Sequence, residues 1–256
     1  MAINYIPLDK NKHKELKVSV QKNFDFAKNS HLAAATIREF AQLAGCMPIV
    51  FIQDPQSGNH HVVAMLGTEA NNNYYVAEGK WQAPYVPMNI QRYPFDVRPD
   101  GEKLGVFFDE NSELIGSEDG ERLFTDGDEP SEFLLNRQTF LSELANSEML
   151  TQQFVKKIIE LDLLSPIELM LTYESGQSRN VTGMMAIDEP KLRKLSDDII
   201  LEMHKNGFLG AIYATMMSMG QLNRLLELSN KTDMPIRSLQ MRNTSAAQEQ
   251  EESTPA

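Results

Sequence analysis

Five histidines, one cysteine and a dense set of carboxylates are the groups in this 256-residue chain that could do chemistry. A metal site comes first. His31, Glu39, Asp54, His60 and His204 are its candidate ligands, and two histidines plus a carboxylate on iron is the version to test. Local spacing does not assemble it. His60 and His61 are adjacent, so on a strand they face opposite sides and cannot share an ion. No HxH or HExxH is present. Nucleophilic catalysis has as little to build on. There is no G-x-S-x-G elbow, and Cys46, just before Met47-Pro48, reads as a small buried hydrophobe rather than a thiolate. Neither G-x-x-x-x-G-K-[ST] nor G-x-G-x-x-G occurs, which argues against NTPases and Rossmann dehydrogenases. No catalytic residue and no metal ligand is assigned, and no cofactor is implied.

Recognition has better material. From Tyr74 to Phe95 the chain places Tyr74, Tyr75, Trp81, Tyr85, Tyr93 and Phe95, with Arg92 directly before Tyr93. Amphipathic rings beside a guanidinium can line a groove for a peptide or a planar ligand through stacking and cation–π contact. Trp81, Tyr85, Arg92, Tyr93 and Phe95 are therefore the expected binding residues. Pro84, Pro87 and Pro94 interrupt the segment, as at a sheet edge where another chain could add. The alternative is a core corner, with the rings packed on a sheet and Arg92 paired to an internal carboxylate.

The charge is localised. The whole chain carries 24 Lys+Arg against 36 Asp+Glu, a net −12. Thirteen acids fall between Asp96 and Glu132, opposed only by Arg98, Lys103 and Arg122. Residues 1–28 instead hold six lysines against Asp9, Glu15 and Asp25. The acidic segment could attract a basic partner or a cation. It could equally be a set of solvated hairpin tips, since Asp100-Gly101, Asp119-Gly120 and Asp126-Gly127 are turn signals. An EF-hand loop starting at Asp109 would need glycine in its sixth place, where Leu114 stands. Net acidity disfavours a nucleic-acid partner. A single cysteine makes no internal bridge. No apolar run reaches the ~18–20 residues that span a bilayer, and the lysine-containing start has no apolar stretch after it, as a secretory leader would. The expectation is a cytoplasmic protein without a membrane span.

The elements that must position these residues change character along the chain. The spacing predicts a helix over 23–46, stopped at Pro48, then strands over 49–52, 62–66, 73–77, 104–108, 113–115 and 122–124. Connections this short make the first half antiparallel. Helices are predicted over 131–144 and 151–164, strands over 167–173 and 181–187, then helices over 188–204 and 209–228. The class is α+β, with a β-rich antiparallel N-terminal half and a helix-rich C-terminal half carrying a two-strand insertion. The expected organisation is an N-terminal extension over 1–22, one domain over 23–228, and a largely disordered acidic tail over 229–256. Met216, Met217 and Met219 in the last helix fill a core or, in a homodimer, a partner surface.

Several blocks, in order, resemble the bacterial SapC family. They are His31 with Glu39-Phe40 and Pro48-Ile49-Val50-Phe51; Trp81, Tyr85-Val86-Pro87 and Arg92-Tyr93-Pro94-Phe95; Phe108-Asp109-Glu110; Leu123-Phe124 with Asp126-Gly127; Gly183 with Ile187-Asp188-Glu189 and Lys191-Leu192; and Gly207, Ile212-Tyr213-Ala214, Ser218, Leu222 and Leu225-Leu226. The resemblance covers roughly residues 20–230. It implies a surface-layer-related (S-layer) protein without a defined catalytic motif. Such proteins are encoded near flavin-dependent tryptophan-halogenase-like proteins, cupin-like proteins and TonB-dependent receptors. The leading expectation is an accessory protein that binds a protein or peptide partner. A metal-dependent modifying enzyme, in which iron is one option, and an S-layer-associated structural protein are the alternatives.

Overall fold

The computed structural model describes residues 3–20, 23–101 and 103–244. In chain order its strands are β1 (Tyr5–Pro7), β2 (Lys17–Val18), β3 (Leu32–Ala34), β4 (Ile49–Gln53), β5 (His60–Met65), β6 (Val76–Ala77), β7 (Lys80–Trp81), β8 (Phe95–Asp100), β9 (Lys103–Asp109), β10 (Glu121–Arg122), β11 (Leu164–Tyr173), β12 (Ser178–Ile187) and β13 (Ile236–Asn243). Its helices are α1 (Lys10–His13), α2 (Phe40–Ala44), α3 (Met88–Gln91), α4 (Glu132–Glu160), α5 (Glu189–Leu192), α6 (Asp197–Lys205), α7 (Phe208–Ser218) and α8 (Leu222–Ser229). The architecture is α+β, strand-rich before α4 and helix-rich after it. The chain forms two compact units, each built from two separate stretches: Met1–Asn23 with Met88–Met149, and Phe24–Pro87 with Leu150–Ala256.

In the first unit, the three-stranded sheet runs β1-β9-β8, and β2 pairs with β10. Its core gathers Val18, Phe95, Phe108, Leu123, Phe124, Leu134 and Leu141, and the His13 ring meets Phe108 edge-on at 5.0 Å. Within the expected extension over 1–22, residues 5–18 join the sheets and core of this unit. Tyr5 pairs with Asp109, and the N-terminal basic residues meet the acidic segment. Lys14 bridges Asp128 at 2.5 Å, Arg122 reaches Glu15 at 3.3 Å, and Lys17 donates to the Glu118 carbonyl at 2.8 Å. The N-terminal stretch and the acidic segment thus meet inside one unit.

The second unit is organised by a six-stranded antiparallel sheet in the order β13-β11-β12-β4-β5-β3. Ile49, Val50 and Phe51 are all buried in succession, as are Val62 to Met65. Strands covered on both faces read as apolar runs rather than alternations. Phe154 of α4 meets Phe40 at 5.8 Å, Phe51 at 6.3 Å and Phe208 at 5.5 Å, so rings from α2, β4 and α7 converge on one side chain. On the same side the Ser218 hydroxyl accepts the Ile49 N–H at 2.8 Å.

Several expected elements differ. Instead of a helix over 23–46 there are two 3-10 turns, β3 and only then α2. Leu32–Ala34 pairs with β5 at the sheet edge, and sheet pairing overrides the helical preference of its alanines. The two helices expected over 131–144 and 151–164 are one, because Ser147 and Thr151, between and at the start of the expected pair, are buried in a stripe that also holds Leu144, Phe154 and Ile158. The helix expected over 188–204 is two, α6 being N-capped at Ser196. The span 209–228 is interrupted by a 3-10 turn at Met219–Gln221. The expected tail contributes β13, which completes the sheet against β11; residues 245–256 lie outside the described residues.

Candidate functional site

Trp81 is positioned by a hairpin. Glu78 and Gly79 both have positive φ, 51° and 70°, as a type I′ turn requires, and this sets Trp81 opposite Val76. The indole N–H then donates to the Tyr85 carbonyl at 2.7 Å. One ring face stacks on the fully buried Tyr75 at 5.8 Å and 22°, and Tyr75 itself is held by its hydroxyl on the Cys46 carbonyl at 2.6 Å. Phe24 lies 5.6 Å from the indole, tied by its N–H to the Gly79 carbonyl at 2.9 Å, and Phe26 follows at 6.1 Å from Phe24. Trp81 and Phe24 are half-buried, and Phe26 is 37% exposed. The outcome is an aromatic shelf on a braced frame.

Tyr85 closes the bracing. Its hydroxyl donates to Glu39 Oε2 at 3.0 Å. Glu39 is 1% exposed because it closes a capping box: Oε1 accepts the Thr36 N–H at 2.9 Å and the Thr36 hydroxyl at 3.1 Å. Burial, and then the Glu39 carboxyl, push the Tyr85 phenol well above its ordinary value. Burial also raises the Cys46 thiol, which keeps it protonated and inert. Arg224 borders the shelf, donating to the Gln82 carbonyl at 3.2 Å.

The five expected binding residues divide between the two units. Trp81 and Tyr85 belong to the second, and Arg92, Tyr93 and Phe95 to the first. Phe95 is a core residue at 1% exposure, which corrects its expected place in a groove, since it sits among Val18, Phe108 and Leu134. Arg92 takes the internal pairing. Asp96, itself buried, accepts Arg92 Nη1 at 2.7 Å and Arg98 Nε at 2.9 Å, and the Arg98 guanidinium lies 4.2 Å over the Tyr5 ring. Tyr93 donates to buried Asp109 at 2.8 Å, and its peptide bond to Pro94 is cis. Phe24 and Phe26 were not anticipated as companions of Trp81, whereas Tyr75 was read in the same aromatic segment; the Glu78-Gly79 turn was the signal that could have set Trp81 beside Tyr75.

The metal candidates serve other ends. Asp54 accepts the Gln56 and Ser57 N–H groups at 2.7 and 2.8 Å, and these bonds hold its carboxyl below the usual range. His60 is on β5, His204 is in the last turn of α6, and Glu39 is in its capping box. Among the described residues, no three His, Cys, Asp or Glu side chains gather as a metal site would need.

Six phenols are held protonated beyond their ordinary range. Burial is the first cause at Tyr5, Tyr74, Tyr75, Tyr85, Tyr93 and Tyr173, with Tyr93 and Tyr173 each raised to about 12. In the unfolded chain they ionise near 10. Between about 10 and 12 the unfolded state therefore binds fewer protons, so stability is full below pH 10 and falls as pH rises. In an alkaline titration, phenolate absorbance from these tyrosines should appear together with loss of circular dichroism. Six phenols titrating near 10 with the fold intact would contradict this.

The fold and the shelf define an α+β protein with an accessible aromatic surface. A SapC family model matches residues 8–225, and the chain belongs to the SapC family. This bears out the resemblance read from the ordered blocks. Comparisons with curated proteins and with solved structures returned no match. Among the described residues, no helix is long and apolar enough to cross a membrane.

Proposed function

We propose that the protein is a non-catalytic accessory protein that binds an extended segment of a protein partner on the shelf formed by Trp81, Phe24 and Phe26, with Tyr85 as its brace. The observation that carries this reading is the fixing of Trp81 from two sides, through its N–H on the Tyr85 carbonyl and its stack on Tyr75, beside the exposed Phe26 ring. Rigid amphipathic aromatics give contact area at low entropy cost and are the commonest interface anchors. Arg92, Tyr93 and Phe95, first read as part of the same groove, are committed to contacts inside the first unit and act here as framework. The family's association with halogenase-like and TonB-receptor-linked systems sets the setting of the proposal, with a cytoplasmic location. Among the described residues the metal-dependent alternative gains no donor set.

Trp81 is the chain's only tryptophan, so its fluorescence reports on the shelf alone. The test is capture of partners from native lysate by the full chain, followed by titration of the captured partner against Trp81 emission. A partner that shifts the emission, and is captured about tenfold less by Phe26→Ser at unchanged melting temperature, is the expected result. Equal capture by Phe26→Ser, or no partner above background, would overturn the proposal.

A further inference from the structure

We infer that the outer face of α7 is a two-fold interface between copies of this chain, with Met217 of each copy seated over Gly210 of the other. The helix shows a division that its own fold does not use. Phe208, Ala211, Ile212, Thr215 and Ser218 are buried, while Gly210, Tyr213 and Met217 face outward. Tyr213 is 50% exposed and Met217 75%, the largest value for a big apolar side chain among the described residues. From Asn206 to Asn223 there is no charged residue, in a chain of which 23% is charged. A helix face left to water ordinarily carries charge opposite its apolar stripe.

Gly210 is the second observation. It lies in the first turn of the helix, where glycine still has lower helix propensity than alanine. A Cβ there would meet nothing within 4 Å, and the backbone is not in the left-handed region. The chain's own packing and backbone therefore give no reason for glycine, whereas close approach from outside does.

Charge selects the occupant. At a two-fold axis a side chain meets its own copy, so in a chain of net −12 the axis falls best on uncharged residues, and this face carries none. The order of sizes fits the same operator. An antiparallel crossing centred between Tyr213 and Ala214 puts Met217 opposite the partner's Gly210 and Tyr213 opposite the partner's Ala214, large against small at both steps. Such knob-and-hole alternation is how helices interdigitate.

The test is sedimentation of the full-length chain over a wide concentration range. Wild type should reach the mass of two chains. Met217→Glu removes an outward side chain, so far-UV circular dichroism and melting should be retained, and only the single-chain mass should remain. Gly210→Leu fills the hole and Met217→Ala empties the knob; each should weaken association about tenfold, and the two together should recover it. A wild-type chain that stays single at all concentrations, or a Met217→Glu chain that still pairs, would overturn the interface. A double variant weaker than both singles would overturn the register.

Discussion

Phe154→Ala should lower the free energy of unfolding by about 4 kcal/mol, the upper range for a buried aromatic. Phe154 is fully buried, and its ring meets those of Phe40, Phe51 and Phe208. Truncation therefore opens a cavity lined by three elements, none of which can close it alone, because the sheet fixes Phe51 and the helices fix the other two. Leu135→Ala on the same helix is the control. Leu135 is half exposed, and its truncation should cost under about 1 kcal/mol. Denaturant unfolding read by circular dichroism measures both. Equal losses for the two variants would mean that the ring cluster contributes no more than surface packing.

Glu39→Ala comes next, at about 3 kcal/mol. It strands three donors, the buried Thr36 N–H and hydroxyl and the half-buried Tyr85 hydroxyl, each costing about 1 kcal/mol when left without a partner. The loss also reaches the shelf, since Tyr85 supplies the carbonyl that holds the Trp81 indole. Emission of Trp81 in the folded variant should move to longer wavelength as the ring loosens and hydrates. Glu39→Gln keeps an oxygen for Thr36 and should retain most of the stability. A loss under about 1 kcal/mol in Glu39→Ala, with unchanged emission, would show that the capping box can be replaced by water.

Both variants touch residues whose roles the sequence shows unevenly. The apolar run Ile49-Val50-Phe51 announces a buried strand by composition alone. So does the alternating run now seen as β11. Thr36-x-x-Glu39 is a readable capping signature, yet periodicity over 23–46 concealed it, because alanines suit a helix and an edge strand equally. In α4, Ser147 and Thr151 look like punctuation, but small polar residues fit a buried stripe where neighbouring elements crowd it. β13 is the hardest case. Arg237, Gln240 and Arg242 give it a polar composition suited to an exposed edge, and only its partner β11 makes it a strand. For the shelf, the aromatic density was visible. What sequence could not show is which rings share a unit, and there Trp81 and Phe95 part company.

The six-stranded sheet is assembled from two distant pieces of chain. β3 to β5 end at Met65, β11 starts at Leu164, and the two halves are joined where Met184 and Met185 pair with Ile52 and Phe51. A ribosome makes the first half and then translates more than a hundred residues before the neighbour of β4 exists. At ordinary synthesis rates this takes on the order of ten seconds, against microseconds for a hairpin to close. For that interval β4 and β5 form a nascent hairpin with apolar faces and one free edge. An unsheltered edge of this kind recruits other strands. Ile49–Gln53 is therefore the stretch that waits longest for its neighbour, until Met184 and Met185 arrive to pair with it.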